Sequence, residues 1–443
     1  MMFQAKLKTK LTDFSVDDAI VELRNEVDSN ELNDIIKSLL KQSDKYDENR
    51  LKDRKFDFLV GGRLLRLNVE DHLKLYSDEI DAKELLNEKL VEVEYFFSLE
   101  PPKPLEAIPQ DDWVSCVDAN DSYIITGSYD NSIRIYSVVD RQLLVSIPDG
   151  HQKPVAKVKF VIPADSSSLS KNEILFISCG HDEVSILRRV NVKSGKSDII
   201  SVYRGHNRSV NCLDVKDDLI ATGSFDKTIR LWALGPEVEE TDDESELGRT
   251  KSTKAQKTGI NEDSVTSHNR SPVMTLNGHQ ESITGIKWLD SCYEFKSLAS
   301  CSMDRSIHIW DIEIGECKRR LLSNKPLLAL DYCPKRNILI SASCDRFVRL
   351  WDARAPDSAG AMAAYISHAA WVSSVALGNP STNNFVSGGY DNLVKLWDMR
   401  SPKACLYDLI GHHDKVLDVN WSNPSFVLSG SVDSTLKVYT SKT

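Results

Sequence analysis

The stretch GSFDKTIRLW, residues 223–232, joins a small-residue turn around Asp226 to an alternating strand that ends in Trp232. Alternation of apolar and polar side chains after such a turn is typical of a β-hairpin. The same phrase recurs as GSYDNSIRIY at 127–136, CSMDRSIHIW at 301–310, ASCDRFVRLW at 342–351, GGYDNLVKLW at 388–397 and GSVDSTLKVY at 430–439. A degenerate copy, SCGHDEVSILR, lies at 178–188. Seven copies of one unit predict a repeat architecture.

The turn aspartates of the copies are evenly spaced once one insertion is set aside. They are Asp130, Asp182, Asp226, Asp304, Asp345, Asp391 and Asp433. Without the polar insertion at 237–270, the mean interval is about 45 residues, which is the length of a four-stranded propeller blade. We therefore expect a mainly β fold in which residues 105–443 form a seven-bladed β-propeller.

Short dipeptides around the copies carry a family resemblance. Gly-His precedes several copies and three copies end in Trp-Asp, so the chain resembles the WD-repeat family. The resemblance implies a hydrogen-bonded tetrad within a blade: His206, Ser224, Asp226 and Trp232 in blade three, and His279, Ser302, Asp304 and Trp310 in blade four. A buried Asp and His need partners, and the set recurs in several blades, whereas a catalytic set is needed once. We interpret the tetrads as structural.

Three blades depart from this pattern. Blade one has Asp112-Trp113 at its entry in place of Gly-His, and Tyr136 in the place of the Trp. Arg188 takes the place of the Trp in blade two, and blade five lacks Gly-His. We expect these blades to depend on their neighbours for rigidity.

The last copy ends four residues before the C-terminus, which leaves blade seven with three strands of its own. Because proteins usually cover an open edge strand, we expect residues 103–109 to supply the fourth strand and join both ends of the propeller.

The first 97 residues contain no blade phrase and form a separate pattern. Two strands precede a helix that begins SNELNDIIKSLL, with Ser29 or Asn30 as its N-cap. KFDFLVGGRLLR predicts two more strands, and LVEVEYFF, residues 90–97, predicts the last one. This order resembles the ubiquitin-like β-grasp (α+β) fold. Residues 98–104, rich in proline, are expected to form a stiff linker.

Composition excludes several classes of protein. The formal net charge of −11 argues against a chain that coats nucleic acid but leaves direct RNA contact open. The hydrophobic fraction of 41% is ordinary for a folded, soluble protein. No apolar run approaches the length of a membrane span, and no secretory signal is evident. The nine cysteines form no CxxC pair, so we expect reduced thiols. No phosphate-binding loop, nucleophile elbow or metal-ligand cluster appears, so we expect no enzyme, no cofactor and no metal within the chain.

Phrase by phrase, the chain is similar to the WD-repeat subunit of the PeBoW ribosome-assembly complex. FDFLVGGRLLR, LVEVEY, DDWVSCVDANDSYIITGSYDNSIRIY and KACLYDLIGHHDKVLDVNW carry this resemblance, which spans essentially the whole chain. The Notchless family shares the layout, but it has an extra blade. A generic WD-repeat adaptor, such as a ubiquitin-ligase substrate receptor, is the other alternative, and it would leave the N-terminal domain unexplained.

The resemblance implies a large-subunit assembly factor involved in pre-rRNA processing. Its propeller would dock on the block-of-proliferation scaffold protein, together with Pescadillo, on the pre-ribosomal large-subunit particle. Its ubiquitin-like domain would be gripped by the metal-ion-dependent adhesion domain of Midasin, an AAA ATPase. The implied locations are the nucleus, nucleolus and nucleoplasm, with no membrane partner and no homo-oligomer.

The resemblance also assigns one partner-binding residue, Glu88, just before the last β-grasp strand. Its carboxylate would complete the coordination of a divalent ion, Mg²⁺, held by Midasin, because hard cations favour oxygen ligands. Glu84, one helical turn earlier, is the alternative. From composition alone, residues 78–94 would be a solvated acidic run.

The insertion at 237–270 is polar and lacks apolar periodicity, so we expect a disordered loop between blades three and four. Its second half contains a cluster of non-contiguous basic residues, which is compatible with a nuclear-import signal. A solvated polar loop is the simpler interpretation.

Overall fold

The computed structural model of the 443-residue chain describes two compact units. One consists mainly of Met1–Pro101, and the other mainly of Pro102–Trp397 with Lys403–Ser441. The structure describes the chain except residues 1, 10, 12–13, 17–19, 43–53, 62, 77–89, 99–100, 163–171, 235–267, 290–294, 358–359, 367, 379–382, 403–404 and 442–443. Within the described ranges, no helix is long and apolar enough to cross a membrane.

The N-terminal unit is a five-stranded sheet with two helices. Its elements are β1 (Met2–Lys8), β2 (Ile20–Arg24), α1 (Ser29–Gln42), β3 (Phe56–Val60), β4 (Arg63–Leu64), α2 (Val69–Tyr76) and β5 (Val91–Phe97). The strand order is β2-β1-β5-β3-β4, with β1 and β5 parallel, which is the β-grasp topology expected from the sequence.

Helix α1 packs on this sheet through side chains spaced four residues apart. Leu32, Ile36 and Leu40 are fully buried, as helical periodicity requires. The Asn33 amide bonds both backbone groups of Phe56 in β3, at 2.8 and 2.7 Å, which fixes the helix against the sheet.

The N-cap of α1 differs from the expectation. Asp28 accepts hydrogen bonds from the amides of residues 30 and 31, so Asp28 is the N-cap rather than Ser29 or Asn30. The Ser29 hydroxyl instead donates to the carbonyl of Leu65. Local preference allowed all three residues, and the tertiary contact of Ser29 decided between them.

The second unit consists of seven sheets in chain order, which is the predicted seven-bladed propeller. Blades one to three contain β7 (Val114–Ala119), β8 (Tyr123–Ser128), β9 (Ile133–Ser137), β10 (Leu143–Ile147); β11 (Val155–Phe160), β12 (Glu173–Gly180), β13 (Val184–Asn191), β14 (Lys196–Arg204); and β15 (Val210–Lys216), β16 (Leu219–Ser224), β17 (Thr228–Ala233), β19 (Met274–Asn277).

Blades four to six contain β20 (Ile283–Leu289), β21 (Ser297–Ser302), β22 (Ser306–Asp311), β23 (Glu316–Leu322); β24 (Leu327–Cys333), β25 (Ile338–Ser343), β26 (Phe347–Asp352), β27 (Ala363–Ile366); and β28 (Val372–Leu377), β29 (Asn384–Gly389), β30 (Val394–Asp398), β31 (Tyr407–Leu409). Blade seven contains β32 (Val416–Asn420), β33 (Phe426–Ser431) and β34 (Thr435–Thr440), joined by β6 (Lys103–Pro109).

The first strand of each blade lies innermost and contacts the first strand of the next blade, and β32 contacts β7. The ring is therefore closed. The predicted closing strand is confirmed: β6 pairs antiparallel with β34, from Lys103 opposite Thr440 to Pro109 opposite Thr435. Since β6 begins at Lys103, the last two residues of the expected 98–104 linker belong to the propeller sheet instead.

The end of the insertion also differs from the expectation. His268–Arg270 forms a short strand, β18, that pairs parallel with β14 at the outer edge of blade two. These three residues are therefore ordered, because the backbone edge of β14 offers hydrogen bonds that polarity alone does not reveal. The rest of the predicted loop, up to residue 267, lies outside the described residues from 235 onward.

Candidate functional site

The blade-three tetrad contains a different hydroxyl from the one expected. His206 Nδ1 lies 2.8 Å from Asp226, while His206 Nε2 and the Trp232 indole nitrogen each lie 2.8 Å from Thr222 Oγ1. The residue that joins the two rings is therefore Thr222 and not Ser224. Both side chains lie on the same face of β16, so alternation cannot distinguish them, and the reach of the Trp232 ring across the sheet selects Thr222.

Blade four shows the same correction. His279 bonds Asp304 at 2.8 Å and Ser300 at 2.7 Å, and the Trp310 indole donates to Ser300. Ser300 therefore replaces the expected Ser302. The described parts of blades two, six and seven hold equivalent His–Asp–Ser sets, formed by His151, Asp182 and Ser178; His368, Asp391 and Ser387; and His412, Asp433 and Ser429.

Ser224 and Ser302 have a different role in the turn. The Ser224 hydroxyl donates to the carbonyl of Arg208 at 3.1 Å and accepts the amide of Asp226 at 3.0 Å. Ser302 makes the same two bonds to Glu281 and Asp304. These serines tie the loop between two blades to the aspartate turn and thereby hold the loop in place.

In the blades that depart from the pattern, arginine side chains make bonds equivalent to those of the missing tetrad members. The expected dependence of these blades on their neighbours for rigidity stays a prediction. In blades one and five, Arg134 and Arg349 each bond the turn aspartate four residues earlier, Asp130 or Asp345, at 2.7 Å. In blade two, the Arg188 guanidinium donates to Ser178, which is the role of the indole in other blades. Burial lowers the pKa of Arg188 to about 10.

The turn aspartates that bond a tetrad histidine in blades three and seven are held as bound carboxylates. Burial would raise the pKa of Asp226, but hydrogen bonds from His206 and Thr228 outweigh it and hold this pKa well below the ordinary value. The pKa of Asp433 is lowered in the same way, to about 2. A carboxylate whose oxygens are already occupied by buried donors has no free position for a substrate proton. The geometry favours the structural interpretation of the tetrads.

One group of metal-ligand types lies close together in the described part of the chain: the donor atoms of His279, Asp304 and His308 lie within 4.8 Å of one another. Both ring nitrogens of His279 already bond Asp304 and Ser300. The His308 ring stacks on His279, with centroids 3.9 Å apart. The donor set therefore fits a hydrogen-bonded tetrad with a stacked ring better than a cation site.

His308 gives the propeller a testable pH dependence. Burial, followed by the nearby His279, lowers the pKa of His308 to about 3, against about 6.5 in an unfolded chain. At pH 5 the unfolded state therefore binds a proton that the folded state excludes, so stability falls as the pH falls below about 6.5. We expect His308 to contribute on the order of 2 kcal/mol to the loss of unfolding free energy between pH 7 and pH 5.

Urea unfolding of His308→Gln at both pH values measures this contribution, because glutamine does not titrate. The variant should lose less stability than the wild type between pH 7 and pH 5. His413→Gln, at an exposed position, controls for the loss of an imidazole. An unchanged pH dependence in His308→Gln would show that this ring is not the responsible group.

A belt of charges, which the repeat phrases do not indicate, surrounds the central channel, a cavity of about 600 Å³. At one equivalent position of the innermost strands, blades one to five carry alternating charges: Asp118, Lys159, Asp214, Lys287 and Asp331. Aligning the blade sequences would have revealed this alternation at a position where an apolar residue is expected.

The belt joins neighbouring blades. Asp214 pairs with Lys159 and accepts the amide of Trp288 at 2.9 Å, and Lys287 lies 3.0 Å from Asp331. Asp118 accepts the amide of Phe160 and the side chain of residue 420. Since the described belt charges are paired with one another or with groups of neighbouring blades, we interpret the belt as a device that holds the ring of blades together.

The partner-binding candidate Glu88 and its alternative Glu84 lie outside the described residues. The flanking elements show where the segment attaches: α2 ends at Tyr76, and β5, the central strand of the sheet, begins at Val91. Residues 1–97 hold 16 basic and 22 acidic side chains, so the N-terminal domain is acidic overall.

Two family models match the chain, one in each of its two units. The NLE (NUC135) domain matches residues 3–73. The WD domain, G-beta repeat, matches residues 103–137, 197–233, 270–311, 315–352, 362–398 and 403–440. These six segments leave out residues 138–196, which include the degenerate phrase of blade two.

Similarity to curated proteins extends over the full length. The chain is 38% identical over 441 residues to the ribosome biogenesis protein WDR12 homolog of Ixodes scapularis, covering 99% of this chain and 98% of that protein. It is 35% identical to the WDR12 homologs of Aedes aegypti and Drosophila sechellia, covering 99% of this chain and 95% of each. The chain therefore belongs to the WDR12 family of ribosome biogenesis proteins.

Proposed function

We propose that this chain is a non-catalytic assembly factor of the large ribosomal subunit. It connects a pre-ribosome-bound scaffold to a release motor and acts in the nucleus, nucleolus and nucleoplasm. The observation that carries the proposal is the full-length similarity to ribosome biogenesis proteins, which covers a β-grasp domain followed by a closed seven-bladed propeller. A generic adaptor would need no such N-terminal domain.

In this proposal the two units have separate partners. The propeller docks on the block-of-proliferation scaffold protein, which also binds Pescadillo. The β-grasp domain is gripped by the metal-ion-dependent adhesion domain of Midasin. The tetrads and the channel belt support a rigid propeller, because their buried polar groups are satisfied within and between blades. A rigid platform is suited to transmitting a pulling force between two partners.

Affinity purification of the full chain from nuclear extract tests the proposal. We expect the scaffold protein, Pescadillo, Midasin and proteins of the pre-ribosomal large subunit to co-purify. Recovery of a cullin complex without these proteins would contradict the proposal and support the ubiquitin-ligase adaptor.

The contact with Midasin is proposed to depend on the Glu88 carboxylate. A carboxylate oxygen in an open coordination position of a bound Mg²⁺ gives a strong but reversible grip. We expect Glu88→Ala to abolish binding of the full chain to the purified adhesion domain in Mg²⁺, and EDTA to abolish wild-type binding.

Glu84→Ala is the matched control, because it removes an equal charge four residues earlier. Loss of binding in Glu84→Ala alone would show that Glu84, and not Glu88, supplies the carboxylate that binds the metal ion. Wild-type binding by both variants would refute the carboxylate mechanism, provided that the thermal midpoints of both variants are unchanged.

A further inference from the structure

The face of the propeller that carries the aspartate turns, here called the turn face, can be compared blade by blade. In each blade the residue before the turn aspartate donates its amide to the preceding loop, as Phe225 does to Ser209 at 3.0 Å and Met303 to Ser282 at 3.0 Å. These seven pre-aspartate residues are therefore equivalent positions on one face. They are Tyr129, His181, Phe225, Met303, Cys344, Tyr390 and Val432.

Cations are concentrated on one sector of the turn face. The residue after the turn aspartate is Lys227, Arg305 and Arg346 in blades three, four and five. The equivalent residues of the other blades are Asn131, Glu183, Asn392 and Ser434. Two more exposed cations, Arg208 and Lys325, lie in the loops that enter blades three and five. We call these five cations of blades three to five the basic sector. Outside it, exposed lysines also lie in the loops that enter blades two and seven, at Lys153 and Lys415.

The basic sector is held in position by the fold. The Ser224 hydroxyl ties the backbone of Arg208 to the aspartate turn of blade three, and Ser343 makes the same bond to Pro326, beside Lys325. Lys227 and Arg305 have left-handed backbones, with φ of 71° and 69°, a conformation that favours Asn or Gly over long side chains. These two positions therefore carry cations although the backbone conformation of the turn favours Asn or Gly.

Most of these cations have no internal partner. Among the described residues, the side chains of Arg208, Arg305, Lys325 and Arg346 make no ion pair or hydrogen bond, and all four residues are exposed. Lys227 lies 3.6 Å from Glu281, in an exposed pair of the kind that contributes little to stability. The contacts of these side chains do not explain their clustering.

We propose that the basic sector binds single-stranded RNA, a function beyond the scaffold and motor contacts proposed above. The positive charges of three guanidinium and two ammonium groups complement the negative charges of a phosphate backbone. Phe225, 42% exposed, and the half-buried Met303 lie between them, and exposed aromatic faces among cations are the usual platform for stacked bases. An acidic polypeptide would use the same charges but would have no need for the Phe225 face. The net charge of −11 is a sum over the whole chain, and it is compatible with a locally basic sector.

Fluorescence anisotropy of the full chain with a labelled 20-nucleotide single-stranded RNA of mixed sequence tests the proposal. We expect Arg208→Ala/Lys227→Ala/Arg305→Ala/Arg346→Ala to weaken binding roughly tenfold or more at 50 mM salt. The slope of log K against log salt should also become shallower by about 2–3, since each phosphate contact on a single strand contributes about 0.7. Phe225→Ala should weaken binding roughly tenfold without changing that slope, as expected for a lost stacking contact.

The matched control is Lys193→Ala/Lys196→Ala/Lys296→Ala/Arg336→Ala, which removes the same charge from exposed positions at the opposite ends of the strands. It should bind RNA within about twofold of the wild type. Thermal midpoints verify folding, and Arg305→Ala and Arg346→Ala singly should show intermediate losses if the quadruple variant is unstable.

Three results would overturn the proposal. The first is no RNA binding by the wild type at 50 mM salt, and the second is an equal loss in both quadruple variants. The third is displacement of the RNA by a polyglutamate 20-mer at equal charge concentration with no effect of Phe225→Ala, which would assign the basic sector to an acidic protein.

Discussion

Replacing residues 103–109 of the full chain with a Gly-Ser heptapeptide is expected to lower the thermal midpoint of the propeller by roughly 10 °C or more. The replaced segment is β6, which supplies the outer strand of blade seven and ties the beginning of the propeller to its end. Ile108 packs with the buried cluster shared by blades seven and one, including Leu436 and Tyr136. Loss of β6 removes these contacts and leaves β34 as an open edge.

A peptide of residues 102–110 added in trans is the matching rescue. It should raise the midpoint of the replaced chain in a concentration-dependent way, since binding to the folded state alone stabilises that state. A peptide of the same composition in scrambled order should have no effect. A midpoint equal to that of the wild type after replacement would show that β6 is dispensable for closure.

Asp418→Ala is expected to destabilise the propeller by about 2–3 kcal/mol, because it leaves the buried amide of Val117 without its acceptor and removes the partner of the half-buried Lys157. Asp418 is 3% exposed and lies on the innermost strand of blade seven. It accepts the amide of Val117 at 3.0 Å, Lys157 Nζ at 2.6 Å and the Ser374 hydroxyl at 2.8 Å. One carboxylate thus joins blade seven to blades one, two and six.

Urea unfolding of the full chain measures this cost, and two variants test its cause. Asp418→Ala/Lys157→Met should recover part of the stability, since the unpaired ammonium is removed with its partner. Asp198→Ala, which breaks an exposed ion pair with Lys196, should cost less than about 1 kcal/mol. Equal costs for Asp418→Ala and Asp198→Ala would contradict the closing role of Asp418.

Much of the fold could be predicted because its determinants are local. Each blade contains one copy of a short phrase in which apolar and polar residues alternate. Counting the turn aspartates of these copies, from Asp130 to Asp433, therefore gives the number of blades. The closing strand was predictable by elimination, since a three-stranded last blade requires a partner. The β-grasp topology followed from the order of strands and helix, although α2 carried too weak a pattern to be recognised.

The candidate sites were less predictable because they depend on contacts across the sheet. Thr222 and Ser224 are both small hydroxyl residues on one face of a strand, and only the positions of His206 and Trp232 show which one joins the two rings. In the same way, Arg134 replaces a histidine only because its side chain reaches back four residues to Asp130. A motif specifies residue types, whereas the register and the reach of the side chains select the partner.

By itself, the sequence determined the two-part architecture, the seven blades and the strand that closes them, because periodicity and turn chemistry act over a few neighbouring residues. Only the tertiary structure decided which groups meet. Asp418 lies 301 residues from Val117 along the chain but accepts its amide. The channel belt likewise joins Asp118 of blade one to residue 420 of blade seven. The basic sector combines residues of three blades, because a ring places equivalent positions of all blades on one surface.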